Sequence, residues 1–393
     1  MSKSLPQRLL IIFLLCCTLG TAIGLAVFWP RTAPEVSPSF SQTFSLGQKL
    51  VDATVVAVTE GSCTSDQVGQ CFSTSPRHIP GQDANCTWVI AELADGDRTL
   101  ILNTGTPGEP DLEVGQHILL NEQLAFVDFK RDTPLLLWAL LTIAAVSALA
   151  LWRGVRAIIG LVMAMAVVAI FTLPALANGT NPAAVALLSG SVILLLAVFF
   201  VHGMNWKSAS ALAGTLTALC VAAALAQLSL QHTHVRGLGQ EDNLQVLLYL
   251  PQVSIQGLML CGFIIGALGV LNDVTIAQAS TVQELSSLDP KARPLRLFFG
   301  AMKVGQDHIA SMMYTLVLTY TGASLPLLLL LSLSERSLSQ TLTSDVMATE
   351  LLRSAIGILA LTLAVPITTL IAAWTTPREE QKAPRHARHR ARP

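Results

Sequence analysis

Apolar runs separated by short polar breaks dominate the chain, and eight of them approach the length of a membrane helix. A bilayer core takes about 20 apolar residues per helix. The candidate spans are 9–28, 135–151, 155–176, 183–201, 209–228, 247–271, 309–331 and 355–374. The first follows Lys3 and Arg8 and lacks a small-residue cleavage site, so it reads as an uncleaved signal anchor. Between the first two runs lies the one long polar stretch. A linker with Pro34 and Pro38 opens it, and short alternating runs follow at 50–58, 87–93, 99–103 and 117–121. Alternation with period two, bounded by Gly, Asp or Pro, predicts strands, here a small barrel or sandwich of about five. Residues 126–134 mix aromatic and charged side chains as an interfacial anchor would, with Arg131 and Asp132 as a local pair.

The predicted fold class is therefore an α-helical polytopic membrane protein of about eight transmembrane helices. A small β-rich extracytoplasmic domain sits between the first and second helices. The predicted divisions are 1–30 (amino terminus and anchor), 31–132 (outer domain), 133–376 (membrane domain with a cytoplasmic segment at 272–303) and 377–393 (basic tail).

Composition agrees. The chain is 52% hydrophobic and 12% charged, against about a quarter charged in soluble domains. Lys and Arg cluster on alternate connections: Arg153 and Arg156, Lys207, then Lys291, Arg293, Arg296 and Lys303, and finally the tail from Arg378. The opposite loops hold Arg236, Arg336 and Arg353. This asymmetry predicts both termini in the cytoplasm. The net charge of −1 says nothing about nucleic acid, because the charge is distributed by membrane side; no nucleic-acid motif occurs, and that partner is not expected. The expected partners are the lipid bilayer and either a small solute or another membrane protein. Of Cys63, Cys71 and Cys86 in the outer stretch, two can pair if it faces an oxidising compartment. His78 and His117 stand alone, so no metal is expected and no cofactor motif occurs.

Candidate chemistry concentrates between Gly262 and Thr321. Gly262, Gly266 and Gly269 form a small face suited to close helix packing, and Asp273 extends it, with Asn272 beside it. Asp307, Ser311 and Tyr314 fall at i, i+4 and i+7 next to His308, a polar stripe expected to point into the bundle because lipid would not solvate it. Lys303, four residues before Asp307, is its alternative partner, and Glu284 is a further acidic candidate. Pro251 interrupts the sixth run, where Gln252 and Gln256 are expected to share a face of a kinked or broken helix. Glu350 and Arg353 read as a surface pair, and Pro326 and Pro366 as kinks. No HExxH, GxSxG or phosphate loop occurs, so an enzyme is not expected.

The ungapped run Gly266-Ala-Leu-Gly-Val-Leu-Asn-Asp-Val-Thr-Ile-Ala-Gln-Ala-Ser-Thr-Val-Gln-Glu-Leu285 resembles the signature of the YibE/F-like family of bacterial multi-pass membrane proteins. Gly305-Gln-Asp-His-Ile-Ala-Ser311, Tyr320-Thr-Gly-Ala-Ser-Leu-Pro-Leu327 and His202-Gly-Met-Asn-Trp-Lys207 support it, and the resemblance runs from Leu112 onward. It implies a bacterial plasma-membrane location but no established activity. Asn272 stands where the family pattern has a second acid, Gln306 where it has arginine and Tyr314 where it has asparagine. If those two charges pair in relatives, both partners are neutral here. Two functions fit the residues: a transporter or permease for a small solute, ion-coupled through Asp273 and Asp307, or a non-transporting scaffold or sensor reading a ligand through its outer domain.

Overall fold

The structure, a computed structural model, describes residues 4–37, 40, 49–77 and 85–377. Lys3, His78 and the basic tail lie outside the described residues. The chain forms two compact units: Pro38–Leu149, and Met1–Ser37 together with Ala150–Pro393.

The first unit holds β1 (Val51–Ser62), β2 (Cys71–Phe72), β3 (Asn85–Leu93), β4 (Arg98–Asn103), β5 (His117–Leu120) and β6 (Phe126–Phe129) in one sheet, ordered β2-β4-β3-β1-β5-β6. The paired strands are antiparallel. Four strands fall on the alternating runs; β2 and β6 do not. Alternation carries Ala53, Val55, Val89, Ala91, Ile101, Ile118 and Leu120 to one face with Leu112, while Trp88, Ile90 and Leu100 cluster on the other. The expected interfacial anchor is instead an edge strand, with Phe129 opposite Ile118. Its charges serve that edge. Arg131 pairs with Asp128 at 2.8 Å and not with Asp132, and Lys130 bridges to Asp52 on β1. Those contacts lower the Asp128 pKa and raise that of Lys130. Cys63 and Cys86 form the disulfide and leave Cys71 free. His117 Nδ1 lies 3.0 Å from Thr54 Oγ1.

The helices are α1 (Leu5–Phe28), α2 (Asp132–Val167), α3 (Leu173–Ala177) reached through a π-helical turn, α4 (Pro182–His202), α5 (Trp206–Thr233), α6 (Glu241–Tyr249), α7 (Ile255–Leu288), α8 (Pro294–Ala323), α9 (Leu325–Ser332), α10 (Leu338–Leu342) and α11 (Asp345–Thr375). Caps fix their starts. Asn181, Asn205 and Ser254 accept backbone N–H groups of α4, α5 and α7, the ordinary role of such side chains at Ncap. Among the described residues six stretches are long and apolar enough to cross a membrane, or seven if the pair α8 and α9, bent by 70°, counts as one. The expected second and third spans form one of the six, Asp132–Ala177, interrupted where Leu151 leaves helical geometry (φ 50°, ψ −138°). The sixth run is broken, not merely kinked. α6 ends at Tyr249 and α7 begins at Ile255 instead of residue 247, then runs on to Leu288. Pro326 stands in the first turn of α9 after the bend, whereas Pro366 lies inside an unbroken α11.

Contacts within the second unit define two ends of the bundle. At one end Gln7 Nε2 donates to the Thr375 carbonyl and Ser210 Oγ lies 2.8 Å from Thr375 Oγ1, so α1 starts where α11 finishes. At the other, Trp29 stacks near Phe171 and Asp345 accepts the backbone N–H groups of Arg236 and Leu238.

Candidate functional site

α5, α7 and α11 meet along alanines: Ala218 and Ala222, Ala267, and Ala360 and Ala364. Small side chains let helix axes approach closely, and polar groups occupy the same layer. Thr215 Oγ1 on α5 lies 2.6 Å from Thr275 Oγ1 on α7, both fully buried. One turn on, the Gln278 side chain is also fully buried. Its Oε1 accepts from the Thr369 hydroxyl at 3.1 Å, in competition with the Val365 carbonyl at 2.6 Å. Among the described residues Gln278 Nε2 and Thr368 Oγ1 have no hydrogen-bond partner. Gly305 of α8 faces that amide: a Cβ there would stand 2.6 Å from Gln278 Nε2 and 2.6 Å from Val365 Cγ1. Gly214 of α5 is pressed in the same way against Thr368. Leaving a buried donor unpaired costs about 1–3 kcal/mol. A packed core that leaves this amide open against α8 and the Thr368 hydroxyl open against α5 has retained hydrogen-bonding capacity it does not use internally.

Two clefts approach this layer from opposite ends of α5 and α7. One, of about 490 Å³, is lined by Asn205, Lys207, Ala279, Gln283, Ser286 and Ala372 among others. The other, of about 700 Å³, is lined by Asn181, Gln227, Gln231, His234, Gln256 and Leu260 among others. Ala279 adjoins Gln278, so the first cleft ends within one turn of the polar layer. Leu260 is 15 positions from Thr275, or about 22 Å at 1.5 Å per residue, and Ile264, Ala267, Leu268 and Leu271 fill that distance.

The sequence-predicted residues lie elsewhere. Gly262, Gly266 and Gly269 are exposed, and only Gly266 is approached, by the Tyr320 hydroxyl. The face expected to be close-packed is open because it lies opposite the bulkier one. Residues two apart on a helix point about 200° apart, so burying Ile264, Ala267 and Leu271 turns the glycines outward. Asp273 ends this outward face, on the side of His202. The same rule corrects α8. Leu297, Ala301, Gly305 and Leu316 are its buried face, so Asp307, Ser311 and Tyr314 point out of the bundle instead of into it. Among the described residues no ion pair joins Lys303 to Asp307. Neither Asn272 nor His308 joins the layer. Asn272 Oδ1 and His308 Nδ1 are buried without partners, Gln306 is exposed, and no hydrogen bond connects Asn272 with Gln306. Glu284 is exposed.

Gln252 and Gln256 do not share a helix face. Gln252 lies in the break before α7 and donates to the carbonyls of Glu35 and Ala177, while Gln256 donates to that of Val235. Both tether loops, although Gln256 also lines the larger cleft. Glu350 and Arg353 are not a surface pair. Glu350 is 8% exposed, Arg353 donates to both its oxygens at 2.9 and 3.0 Å, and Gln240 adds a third bond. The guanidinium lies over the rings of Phe263 and Tyr320.

Sequence reasoning missed Gln278, Thr215, Thr368 and Thr369. The available signal was position: Gln278 follows Leu271 and Thr275 on the bulky face of α7, opposite the glycines. Among the described residues no group of three or more His, Cys, Asp or Glu is placed to hold a metal. No curated protein and no solved structure shows a significant match to this chain. The YibE/F-like protein family model matches residues 138–378, more than half the chain and the whole of the polar layer, leaving the sheet outside the match. The chain belongs to the YibE/F-like family.

Proposed function

We propose that this protein is a multi-pass transporter of small polar solutes in a bacterial plasma membrane, with its pathway between α5 and α7. One observation carries the reading: two clefts lined in part by polar side chains stand at opposite ends of one helix pair, and the first ends within one turn of a buried layer of uncharged hydrogen-bonding groups with unused capacity. Transporter sites lie where polar groups at membrane depth meet a cavity. The deeper reach of the Lys207 cleft makes this the state open to that side. Splitting the long second helix at Leu151 gives eight spans, which fits the meeting of α1 and α11 at one end of the bundle. Lys207, Lys291 and Arg293 favour the cytoplasm for that end.

Proteoliposomes holding the full chain test this with a series of small neutral and zwitterionic solutes. Uptake of at least one above empty vesicles is expected, with Gln283→Trp, at an exposed position lining the cytoplasmic cleft, suppressing it. No flux across the series contradicts the reading. Asp273, beside His202, is the proposed coupling group. Asp273→Asn should abolish accumulation driven by an ion gradient while sparing downhill flux; unchanged accumulation removes the coupling.

A sensor is the second reading, favoured by a cleft of about 290 Å³ on the sheet between Ile101, Leu112, Leu124 and Phe126. Crosslinking to a stoichiometric partner, with no flux, would support it.

A further inference from the structure

α1, α5 and α11 flank a groove of about 540 Å³ at the end of the bundle where α1 starts and α11 finishes. Leu10, Ala213 and Thr375 are buried along its floor, and Leu9, Phe13, Leu370 and Trp374 stand exposed at its rims. Among the described residues no Asp, Glu, Lys, Arg or His lines it. Its two hydroxyls are spent on their own helices. Thr217 Oγ1 donates to the Ala213 carbonyl at 2.8 Å, and Thr375 Oγ1 to that of Ile371 at 2.7 Å. The side chains of the groove therefore offer an occupant apolar contact alone, unlike the Gln278 layer.

Positive charge collects at the mouth. Arg8 is exposed between the lining positions Pro6 and Leu9. Beyond Thr375, the last residue of α11, the chain carries Arg378, Lys382, Arg385, Arg388, Arg390 and Arg392 against Glu379 and Glu380. On the membrane reading proposed above this end faces the cytoplasm, and a tryptophan at position 374 belongs at headgroup level. Pro6 and Phe13 are seven positions apart on α1, about 10 Å along the axis, so the groove opens where acyl chains meet their headgroups. An apolar groove beneath a basic rim matches an anionic phospholipid. Its chain needs no hydrogen-bond partner, and its phosphate is drawn to Lys and Arg near the surface. A partner helix fits less well, because helices associate in lipid through small residues and these rims are bulky.

We propose that the groove between α1, α5 and α11 holds an acyl chain of an anionic phospholipid of the cytoplasmic leaflet, its headgroup bound by Arg8 and the basic residues from Arg378 onward. The site rests on the membrane placement and not on transport. Its failure would leave the α5–α7 pathway untouched, and a protein without flux would still bind the lipid.

Native mass spectrometry of the full chain in detergent, titrated with phosphatidylglycerol or with phosphatidylcholine of the same acyl composition, tests it. The wild type should retain phosphatidylglycerol about tenfold more tightly than phosphatidylcholine; equal retention overturns the proposal. Leu9→Trp and Leu370→Trp narrow the groove from opposite rims with every charge in place, and each should weaken retention of phosphatidylglycerol about tenfold. Retention unchanged in both overturns the proposal and leaves surface attraction as the only bond to lipid. Arg8→Gln, Arg378→Gln, Lys382→Gln and Arg385→Gln together should lower phosphatidylglycerol to the level of phosphatidylcholine; a preference that survives them overturns the headgroup assignment. Glycerol phosphate, which has the headgroup chemistry without acyl chains, should not displace the lipid. Displacement would identify a free-phosphate site and overturn the role of the groove.

Discussion

The polar residues of the helical unit fall into two sets that share neither chemistry nor surroundings. Thr215, Thr275, Gln278, Thr368 and Thr369 are uncharged, fully buried and packed between helices that touch through alanine and glycine. Asp273, Lys303 and Asp307 are charged and exposed on the outer sides of α7 and α8. The difference teaches that charge in an apolar sequence marks places where the chain needs something outside itself. Uncharged polarity marks places where helices meet. A neutral amide or hydroxyl can be buried against a neighbour at modest cost, whereas an unpaired carboxylate cannot. Glu350 makes the exception that fits: its charge is buried only because it is bound by Gln240 and by the half-buried Arg353, whose guanidinium lies over two aromatic rings.

The sharpest way to break this contrast is to leave a buried charge alone. Arg353→Leu strands the Glu350 carboxylate and should destabilise by about 3–5 kcal/mol, the usual cost of unpairing a buried ion. Thermal unfolding in detergent measures it, and a change within the range of an exposed ion pair would show that water reaches Glu350. Next comes the buried layer. Gly305→Ala forces a methyl against Gln278 and Val365 and should cost about 1–3 kcal/mol. Gly269→Ala, with nothing within 4 Å of its added methyl, should be neutral or stabilise by up to about 1 kcal/mol through helix propensity. Equal effects on the melting temperature would mean that α7 presents a different face from the one described.

The smallest effect lies in the sheet. Glu109 accepts the backbone N–H groups of Thr104 and Gly105 and the Thr104 hydroxyl, which hold its pKa below the ordinary carboxylate value. A depressed folded-state pKa stabilises above the unfolded pKa, and the contribution disappears as pH falls through the folded value. Denaturant unfolding at pH 7 should therefore find Glu109→Gln slightly less stable than wild type. The gap should close as the pH drops below the carboxylate range; a gap independent of pH would rule out the charge as its cause.

Much of the helical architecture is legible in the sequence because apolar run length is a direct signal of it. The break at Leu151 falls between two runs, and those near Pro251 and Pro326 fall at prolines inside runs. Facing is what the sequence hides. Gly262–Gly266–Gly269–Asp273 and Ile264–Leu271–Gln278 are both regular stripes on α7, and only the volumes of neighbouring helices decide which is buried. The same ambiguity turned the Asp307 stripe outward. In the sheet, β2 escaped because a two-residue strand carries too little alternation to stand out, and β6 because its aromatic and charged side chains resemble a membrane-interface segment.

The central claim is that the Thr275–Gln278 layer is reached in turn from the two clefts. Single cysteines at Gln231, Gln278 and Gln283, probed in sealed vesicles with impermeant thiol reagents from each side, test it most directly against the wild-type background. Gln231→Cys should label only from its own side and Gln283→Cys only from the opposite one. Gln278→Cys should label from both, faster from the Gln283 side. Labelling at Gln231 and Gln283 with none at Gln278 from either face would contradict the claim and leave the layer as helix packing alone.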